Sequence, residues 1–340
     1  MSKKSKNNFF TRRALNIDIT HRCPLDCPRC QRWKNFRRYG KKVPGTDISI
    51  SQMKKIISFY NFLNFCGQLS DPVHHPKFIE ILKLLLDNNI TCSVRNASSA
   101  KSKDWYIKAF KSNPKARWVF GIDGLPNESH VYRINQDGKK LFDIMIEAKK
   151  YLEKKPMWQY IIFRYNENHV EQAKQMAEDN DIPILIINSS KWWGNKDPYR
   201  PTNPELSFDP NIGIIKKLIP KCFGDTSLNV GNGSISAAIT NRGYLLPCCY
   251  CDQPSVLASP EIKKIMKVSK IDDVNSIEKI LSSDEWLEFT NKLENNKGPT
   301  VCWHLCGQVK KEQKRETKFY RKKISNFDFQ KIQNSKKKLI

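Results

Sequence analysis

No stretch of about 18 apolar residues occurs anywhere in the 340-residue chain, so nothing in it reads as a membrane-spanning helix. The first residues, MSKKSKNNFFTRR, are basic but hold no apolar run long enough for a signal peptide, and a cytoplasmic protein is expected. Internal repeats are lacking, as is low-complexity sequence outside the lysine-rich ends, which excludes solenoid and fibrous architectures. An apolar content of 39% and an aromatic content of 11% exclude a chain too polar to bury a core, leaving disorder for the ends alone. At 340 residues the chain exceeds the ~250–300 at which single cores stop growing, so two domains are expected.

What is present is cysteine and positive charge. Eleven cysteines in a reducing compartment, several in tight clusters at ligand-like spacing, point to metal or cluster binding rather than a disulfide framework. The net charge of +25 is uneven. Lys3, Lys4, Lys6, Arg12 and Arg13 meet no acid in the first 13 residues, and from Lys310 to Ile340 twelve basic residues face only Glu312, Glu316 and Asp328. Such ends serve as solvated extensions or recruit a polyanion such as nucleic acid, and both readings stand at this point. A further basic run, Arg29, Arg32, Lys34, Arg37, Arg38, Lys41 and Lys42, directly follows the first cysteine cluster.

Through the first 190 residues, short β-rich runs alternate with amphipathic stretches, the pattern of a parallel sheet built from βα units. Strands are expected over Ala14 to Thr20, Asn61 to Cys66, Ile90 to Asn96, Arg117 to Asp123, Trp158 to Tyr165 and Ile182 to Asn188. Helices are expected over Ser51 to Tyr60, Lys77 to Asp87, Lys103 to Lys111, Lys140 to Lys154 and Asn168 to Asp179. Six units are too few to close an eight-stranded barrel. The expected fold class is therefore α/β, a partial (β/α)6 TIM-like barrel whose ligands collect at the carboxyl ends of the strands. From Trp192 to about Pro220 the pattern dissolves into Pro, Asn and Gly, as in a linker, and a small cysteine-rich unit follows from Cys222 to Cys306. The boundaries read as a basic extension over 1–13, the barrel over 14–200, the cysteine-rich domain over 201–309 and a basic tail over 310–340.

Cys23, Cys27 and Cys30 form a C-x3-C-x2-C pattern immediately after the first expected strand. Three thiolates can hold three irons of a 4Fe-4S cube and leave the fourth iron open; zinc on the same cysteines with His21 is the alternative. The spacing, in a loop after the first strand, resembles the radical S-adenosylmethionine superfamily. That resemblance implies a cube whose open iron binds S-adenosylmethionine, an electron that cleaves the C–S bond, and a 5'-deoxyadenosyl radical that abstracts hydrogen from a substrate. It implies an electron donor such as flavodoxin or ferredoxin as a partner.

Four further segments carry the resemblance in chain order. FCGQLSDPVHHPKF, after the second strand, is similar to the family's Gly-Gly-Glu-Pro segment, with Asp71 as the carboxylate, Ser70 where the pattern has glycine, and His75-Pro76 following. Taken alone, Asp71-Pro72 is equally an ordinary turn. Arg95-Asn96-Ala97-Ser98 resembles the Thr-Asn-Gly-Ser strand end, making Asn96 and Ser98 cofactor-contact candidates, although Asn and Ser also end strands as turns. FGIDGLPNESHVYR is similar to the S-I-D-G-L…Y-R of relatives with a second cluster; Asp123 and Arg133 are its candidates, and Gly121 replaces the serine. FRYNENH is similar to the same group's F-x-x-N-E-H, with Asn166 and Glu167 at the strand end.

The later cysteines comprise Cys222, a G-x4-C element from Gly243 to Cys248, and Cys302-x3-Cys306. Four thiolates suffice for an auxiliary 4Fe-4S cluster, and the arrangement resembles the shortened SPASM domain called the twitch domain. Cys249 and Cys251 crowd the same turn as Cys248 and could replace it or be inert, and zinc on the four cysteines is the alternative. Cys66, Cys92, Trp105, Trp118, Trp192 and Trp193 read as packing residues. The resemblance to the twitch and SPASM group implies oxidation or cross-linking of a peptide, or dehydrogenation of a small molecule. The basic segments motivate two alternatives, radical modification of RNA or another nucleic acid, and a non-catalytic zinc-stabilised nucleic-acid-binding protein.

Overall fold

Side chains alternate across a strand, and right-handed βαβ crossovers put all helices on one side of a parallel sheet, so the parity of a strand residue decides whether it faces helices or the barrel's hollow. The computed structural model describes residue 9 and residues 12–40, 45–188, 196–206, 215–218, 222, 237–309 and 317–320. Six strands run parallel in chain order: β1 (Ala14–Ile17), β2 (Phe62–Phe65), β3 (Thr91–Asn96), β4 (Arg117–Gly121), β5 (Met157–Ile162) and β6 (Ile184–Asn188). Leu15, Ile17, Leu63, Phe65, Val94, Trp118, Phe120, Ile184 and Ile186 share one parity and lie buried in the main core. The other parity is largely polar toward β1. Asn16 pairs in register with Asn64, and Asn64 with Ser93, and the Asn64 Nδ2 donates to Asn16 Oδ1 at 2.7 Å. On the β5–β6 side the inner face turns apolar, with Ile161, Phe163, Leu185 and Ile187 clustered with Tyr132.

The connecting helices are α1 (Gln31–Tyr39), α2 (Ile50–Ile57), α3 (Phe78–Asp87), α4 (Lys103–Ser112), α5 (Gly138–Ala148) and α6 (Val170–Asp179). The last five match the expected set, with ends moved by up to six residues. α1 is an addition to it: it begins directly after Cys30 and ends at Gly40, whose φ of 67° and N–H bond to the Phe36 carbonyl make a left-handed cap that glycine forms without strain. Ser49 opens α2 through a reciprocal capping box with Gln52. The expected strands ending at Thr20, Cys66, Asp123 and Tyr165 overrun their observed carboxyl ends, and there the side chains of Asp18 and Asp123 bond loop or neighbouring amides.

The cysteine-rich segment is joined to the same sheet. β8 (Ala238–Ile239) lies parallel to β1 and forms a hairpin with β9 (Leu245–Leu246), so the full order is β11-β6-β5-β4-β3-β2-β1-β8-β9. The linear order leaves the sheet open, as six βα units require. β11 (Thr317–Tyr320), within the basic 310–340 segment, runs antiparallel to β6, while β7 (Ile215–Leu218) and β10 (Gly307–Val309) pair apart from the main sheet. Helices α7 (Pro254–Leu257), α8 (Pro260–Met266), α9 (Ile277–Leu281), α10 (Asp284–Glu294) and α11 (Thr300–Cys306) complete the segment. Its apolar residues belong to the barrel's own core, with Trp286 edge-on to Phe9 at 5.1 Å. Lys55 of α2 donates to the carbonyls of Ile271 and Val274, both at 2.6 Å. Among the described residues no helix is long and apolar enough to cross a membrane.

Trp118 is a packing residue as expected, 1% exposed and ringed by Phe78, Tyr106, Phe110 and Phe120. Trp105 stacks on Phe78 from a partly buried position, and Trp192 and Trp193 lie outside the described residues. Trp118→Ala should cost about 3–5 kcal/mol, read from chemical denaturation, with the midpoint of unfolding falling accordingly.

Candidate active site at the carboxyl edge of the sheet

The segment from Asp18 to Cys30 has no helix or strand of its own, yet it carries Cys23, Cys27 and Cys30. Its shape comes from bonds made by other parts of the chain. Thr20 Oγ1 donates to Asp47 at 2.6 Å, Arg22 pairs with the same carboxylate, and the Asp71 N–H donates to the Arg22 carbonyl at 3.0 Å. Further along, the Asp26 N–H meets the Ile134 carbonyl at 3.1 Å, and Asn135 Nδ2 donates to the Pro24 carbonyl at 3.2 Å. Arg29 Nε reaches the buried Asp197 at 2.8 Å, and Arg32 Nη1 donates to the Leu25 carbonyl at 2.8 Å. Two cations of the basic run thus bond inward. The Cys30 N–H closes a turn on the Cys27 carbonyl at 3.1 Å, and Cys30 stands as the N-cap of α1. All three cysteines are half-buried and outside any disulfide. Burial, then the nearby Asp71 carboxylate, pushes the Cys23 thiol up to about 12.

Asp71 and Ser70 follow β2 in a loop shaped from beneath. Asp18, the residue after β1, accepts the Gln68 N–H at 3.0 Å and the Leu69 N–H at 3.1 Å, with the Ser70 hydroxyl at 3.4 Å. Gly67 is left-handed at φ 58°, and a Cβ there would stand 2.9 Å from the Ser70 carbonyl oxygen. Asp71 itself is 3% exposed. One of its oxygens accepts the Val73 N–H at 3.3 Å, and the other accepts the Ala97 and Ser98 N–H groups at 2.8 and 2.9 Å. Its carboxylate therefore ties the β2 loop to the end of β3. His75 Nδ1 accepts the Lys77 N–H, so its Nε2 is the donor to the Ile48 carbonyl at 2.9 Å.

Asn96 and Ser98 are buried and locally bonded. Asn96 accepts the Ser98 N–H at 3.0 Å and donates to Tyr106 at 2.8 Å, while the Ser98 hydroxyl contacts His74 at 2.8 Å and accepts the Ala100 N–H. Asp123 is fully buried. It accepts Arg133 Nε at 2.7 Å and the Ile161 N–H at 3.0 Å. A Cβ on Gly121 would lie 3.2 Å from the Arg133 Nη2, so the glycine in the serine position leaves room for the guanidinium. Asn166 holds the end of β5 through the Phe163 N–H and the Ile161 carbonyl, and Glu167 accepts the Thr202 and Asn203 N–H groups.

The structure brings Cys222, Cys248, Cys302 and Cys306 into one neighbourhood. Burial, followed by the charges of Cys248, Cys306 and Cys302, drives the Cys222 thiol well up, and burial with Cys248 and Cys306 raises Cys302. Cys251 joins them, its Sγ 3.7 Å from that of Cys248. Cys249, next to Cys248, has Cys66 and Asp18 at the barrel's inner face as its other neighbours. Cys92 is a buried core residue as expected, whereas Cys66 is half-buried beside Asp18 and Arg95.

Asp18 and Cys251 are the site residues that pattern matching passed over or left undecided. Asp18 had a signal: Asn16, Asp18 and Thr20 form an every-other-residue polar row, all buried, in an otherwise apolar run. Among the described residues no three His, Cys, Asp or Glu side chains stand in ready ligand geometry for an ion. The donor chemistry of each group nonetheless fits an iron-sulfur cube. Three thiols on one anchored loop suit a cube with an open iron, and the second group has enough thiols for four corners.

No family model and no curated protein matches the sequence. Comparison with solved structures does find relatives in shape. Streptococcus suis SuiB bound to precursor peptide SuiA superposes with a TM-score of 0.59 at 10% identity, over 84% of this chain and 68% of SuiB. SuiB bound to S-adenosylmethionine superposes at 0.50 with 11% identity, over 88% and 79%. BtrN in complex with AdoMet and 2-DOIA covers 90% of this chain and 98% of its own at 10% identity, with a TM-score of 0.47. The open α/β barrel of this chain is the fold that the two SuiB structures share. Within that fold class, the chain is similar to SuiB in particular.

Asp18 offers a test of this architecture. Burial and then Asp252 raise its carboxyl to about 7, above the unfolded value near 4. The folded protein therefore holds the proton more tightly, and the associated stability is complete below about pH 4 and lost as pH rises to about 7. Unfolding free energy should fall by up to about 4 kcal/mol over that window, and Asp18→Asn should flatten the slope, as measured by urea denaturation across pH.

Proposed function

We propose that the chain is a radical S-adenosylmethionine enzyme acting on a peptide substrate. The observation that carries the reading is the placement of Cys23, Cys27 and Cys30 on one tightly anchored loop at the carboxyl edge of a parallel sheet of this fold. A 4Fe-4S cluster bound there with one open iron supplies the electron that splits the C–S bond of S-adenosylmethionine. The chain's own residues hold and enclose that chemistry. Bonds from the Asp71 and Ile134 backbone and the Asn135 side chain to the loop's main chain keep the three thiols together, and Tyr132, Phe163, Leu185 and Ile187 form an apolar wall behind Cys27. Such a wall excludes water, which suits a site that must keep a reactive radical from solvent.

Contacts to the sulfonium cofactor are assigned to the edge formed by Ser70, Asp71, Asn96, Ser98, Asp123 and Arg133. Asp71, Asn96 and Ser98 act there by shaping the loops, since their polar atoms are bonded within the protein. Arg133 offers guanidinium nitrogens beyond the Nε taken by Asp123 and is the candidate partner for the cofactor's carboxylate. Cys222, Cys248, Cys302 and Cys306 are assigned to an auxiliary 4Fe-4S cluster that carries electrons to or from the substrate. The substrate class rests on SuiB, whose structure with a precursor peptide shares this fold. Oxidation or cross-linking of a peptide fits that likeness and two metal centres. Electrons come from a carrier such as flavodoxin or ferredoxin.

Anaerobically prepared protein should be brown, with iron and sulfide each near about eight per chain. Any of Cys23→Ala, Cys27→Ala or Cys30→Ala should remove about four irons and lower 5'-deoxyadenosine formation by at least about a thousandfold. The assay is reductive cleavage of S-adenosylmethionine by chromatography. Cleavage that survives Cys27→Ala undiminished rejects the reading. Mass spectrometry of peptide pools after turnover then tests the substrate class, with RNA pools as the competing arm.

A further inference from the structure

The G-x4-C element ends at Cys248, and two more cysteines follow in the next three residues, so the sequence leaves three thiols competing for one position. The structure separates them. Residues Cys249–Asp252 form a single 3-10 turn, closed by the Cys251 N–H on the Cys248 carbonyl at 3.0 Å. A turn of that kind has three residues per revolution, so the third residue after Cys248 returns to the same side while the first points away. Cys251 accordingly places its Sγ 3.7 Å from the Cys248 Sγ and is 0% exposed. The charge of Cys302 also reaches it.

Cys249 goes the other way. Besides the adjacent Cys248, its neighbours are Cys66 and Asp18 on the inner face of the barrel, and its carbonyl accepts Gln68 Nε2 at 2.8 Å. That bond ties the turn to the β2 loop and fixes which side each thiol faces. Arg242 braces the same turn by pairing with Asp252 at 2.7 Å.

We propose that Cys251 is a ligand of the second metal centre and that Cys249 is not. The inference rests on the reading of the second cysteine group as a metal centre and adds a ligand beyond Cys222, Cys248, Cys302 and Cys306. Two sulfurs 3.7 Å apart can both reach one thiophilic centre, whereas a thiol turned into the barrel cannot join them without unwinding the turn. The group then holds five thiols for a centre that takes four from the protein. A spare thiol gives the site a second way to complete its coordination, so loss of one ligand shifts the centre's properties before it empties the site.

The test uses the full-length chain carrying Cys23→Ala, Cys27→Ala and Cys30→Ala, so that only the second centre remains. Iron, sulfide and zinc are measured after anaerobic reconstitution, with electron paramagnetic resonance of the reduced protein. Adding Cys251→Ser should lower bound metal by half or more, or keep the content and shift the resonance as the spare thiol takes over. Adding Cys249→Ser should leave both content and spectrum unchanged. Identical content and spectrum for Cys251→Ser and its parent overturn the proposal, as does loss of metal in Cys249→Ser. A parent that binds no metal at all overturns the reading of a second centre and this inference with it. A parent that holds zinc without sulfide overturns the cluster assignment but supports the ligand, if Cys251→Ser releases the zinc. Circular dichroism of each variant checks that the fold is intact.

Discussion

Immobilising a loop with no regular structure is the constraint on which the site depends. Residues 18–30 have no ladder or helix to hold them, and three cysteines spread over eight positions cannot meet one metal body unless the backbone between them is held. The holding bonds come from segments distant in sequence: Asp47, Asp71, Ile134, Asn135 and Asp197 each bond within the stretch from Thr20 to Arg29. Most involve main-chain groups on the loop. Backbone N–H and C=O groups must be satisfied somewhere when half-buried, so the loop's own peptide groups become its anchors.

Two buried carboxylates organise the neighbouring edge on the same principle. Asp18 gathers the amides of Gln68 and Leu69, and Asp71 gathers those of Val73, Ala97 and Ser98. Each carboxylate joins two chain segments at consecutive strand ends, so β1, β2 and β3 deliver their loops to a common place. Burial makes these charges costly, and the amide bonds offset part of that cost. Asp71 therefore looks outward through the loop it shapes more than through its own oxygens, which are already engaged.

The cysteine-rich segment reaches the same edge because it is built onto the sheet. β8 lies directly beside β1, with the Asn16 and Asp18 N–H groups bonded to the carbonyls of Ala237 and Ile239. The hairpin and turn that follow bring Cys248 to Cys251 up to the β2 loop, where Gln68 holds the Cys249 carbonyl. The second thiol group and the inner face of the barrel are thus linked through one hydrogen-bonded turn.

The alternation of βα units, the open barrel and the cysteine spacing were legible in the sequence because they are local: period-2 and period-3.6 burial and the reach of one loop do not depend on distant residues. The positions of Asp71, Asn96, Ser98, Asp123 and Arg133 at strand ends were legible as well, but not the partners that occupy them, since those lie tens of residues away. Helix α1 was not legible because it is short and strongly basic, and its start and stop depend on Cys30 and Gly40. Composition and spacing by themselves determined that this chain would be an α/β barrel with two cysteine groups. Only the tertiary structure decided that β8 continues the sheet beside β1, that Asp18 underlies the site, and that Cys251 rather than Cys249 faces Cys248. Strand pairing and the direction of a side chain on a buried turn are set by contacts between remote segments, which residue order alone does not encode.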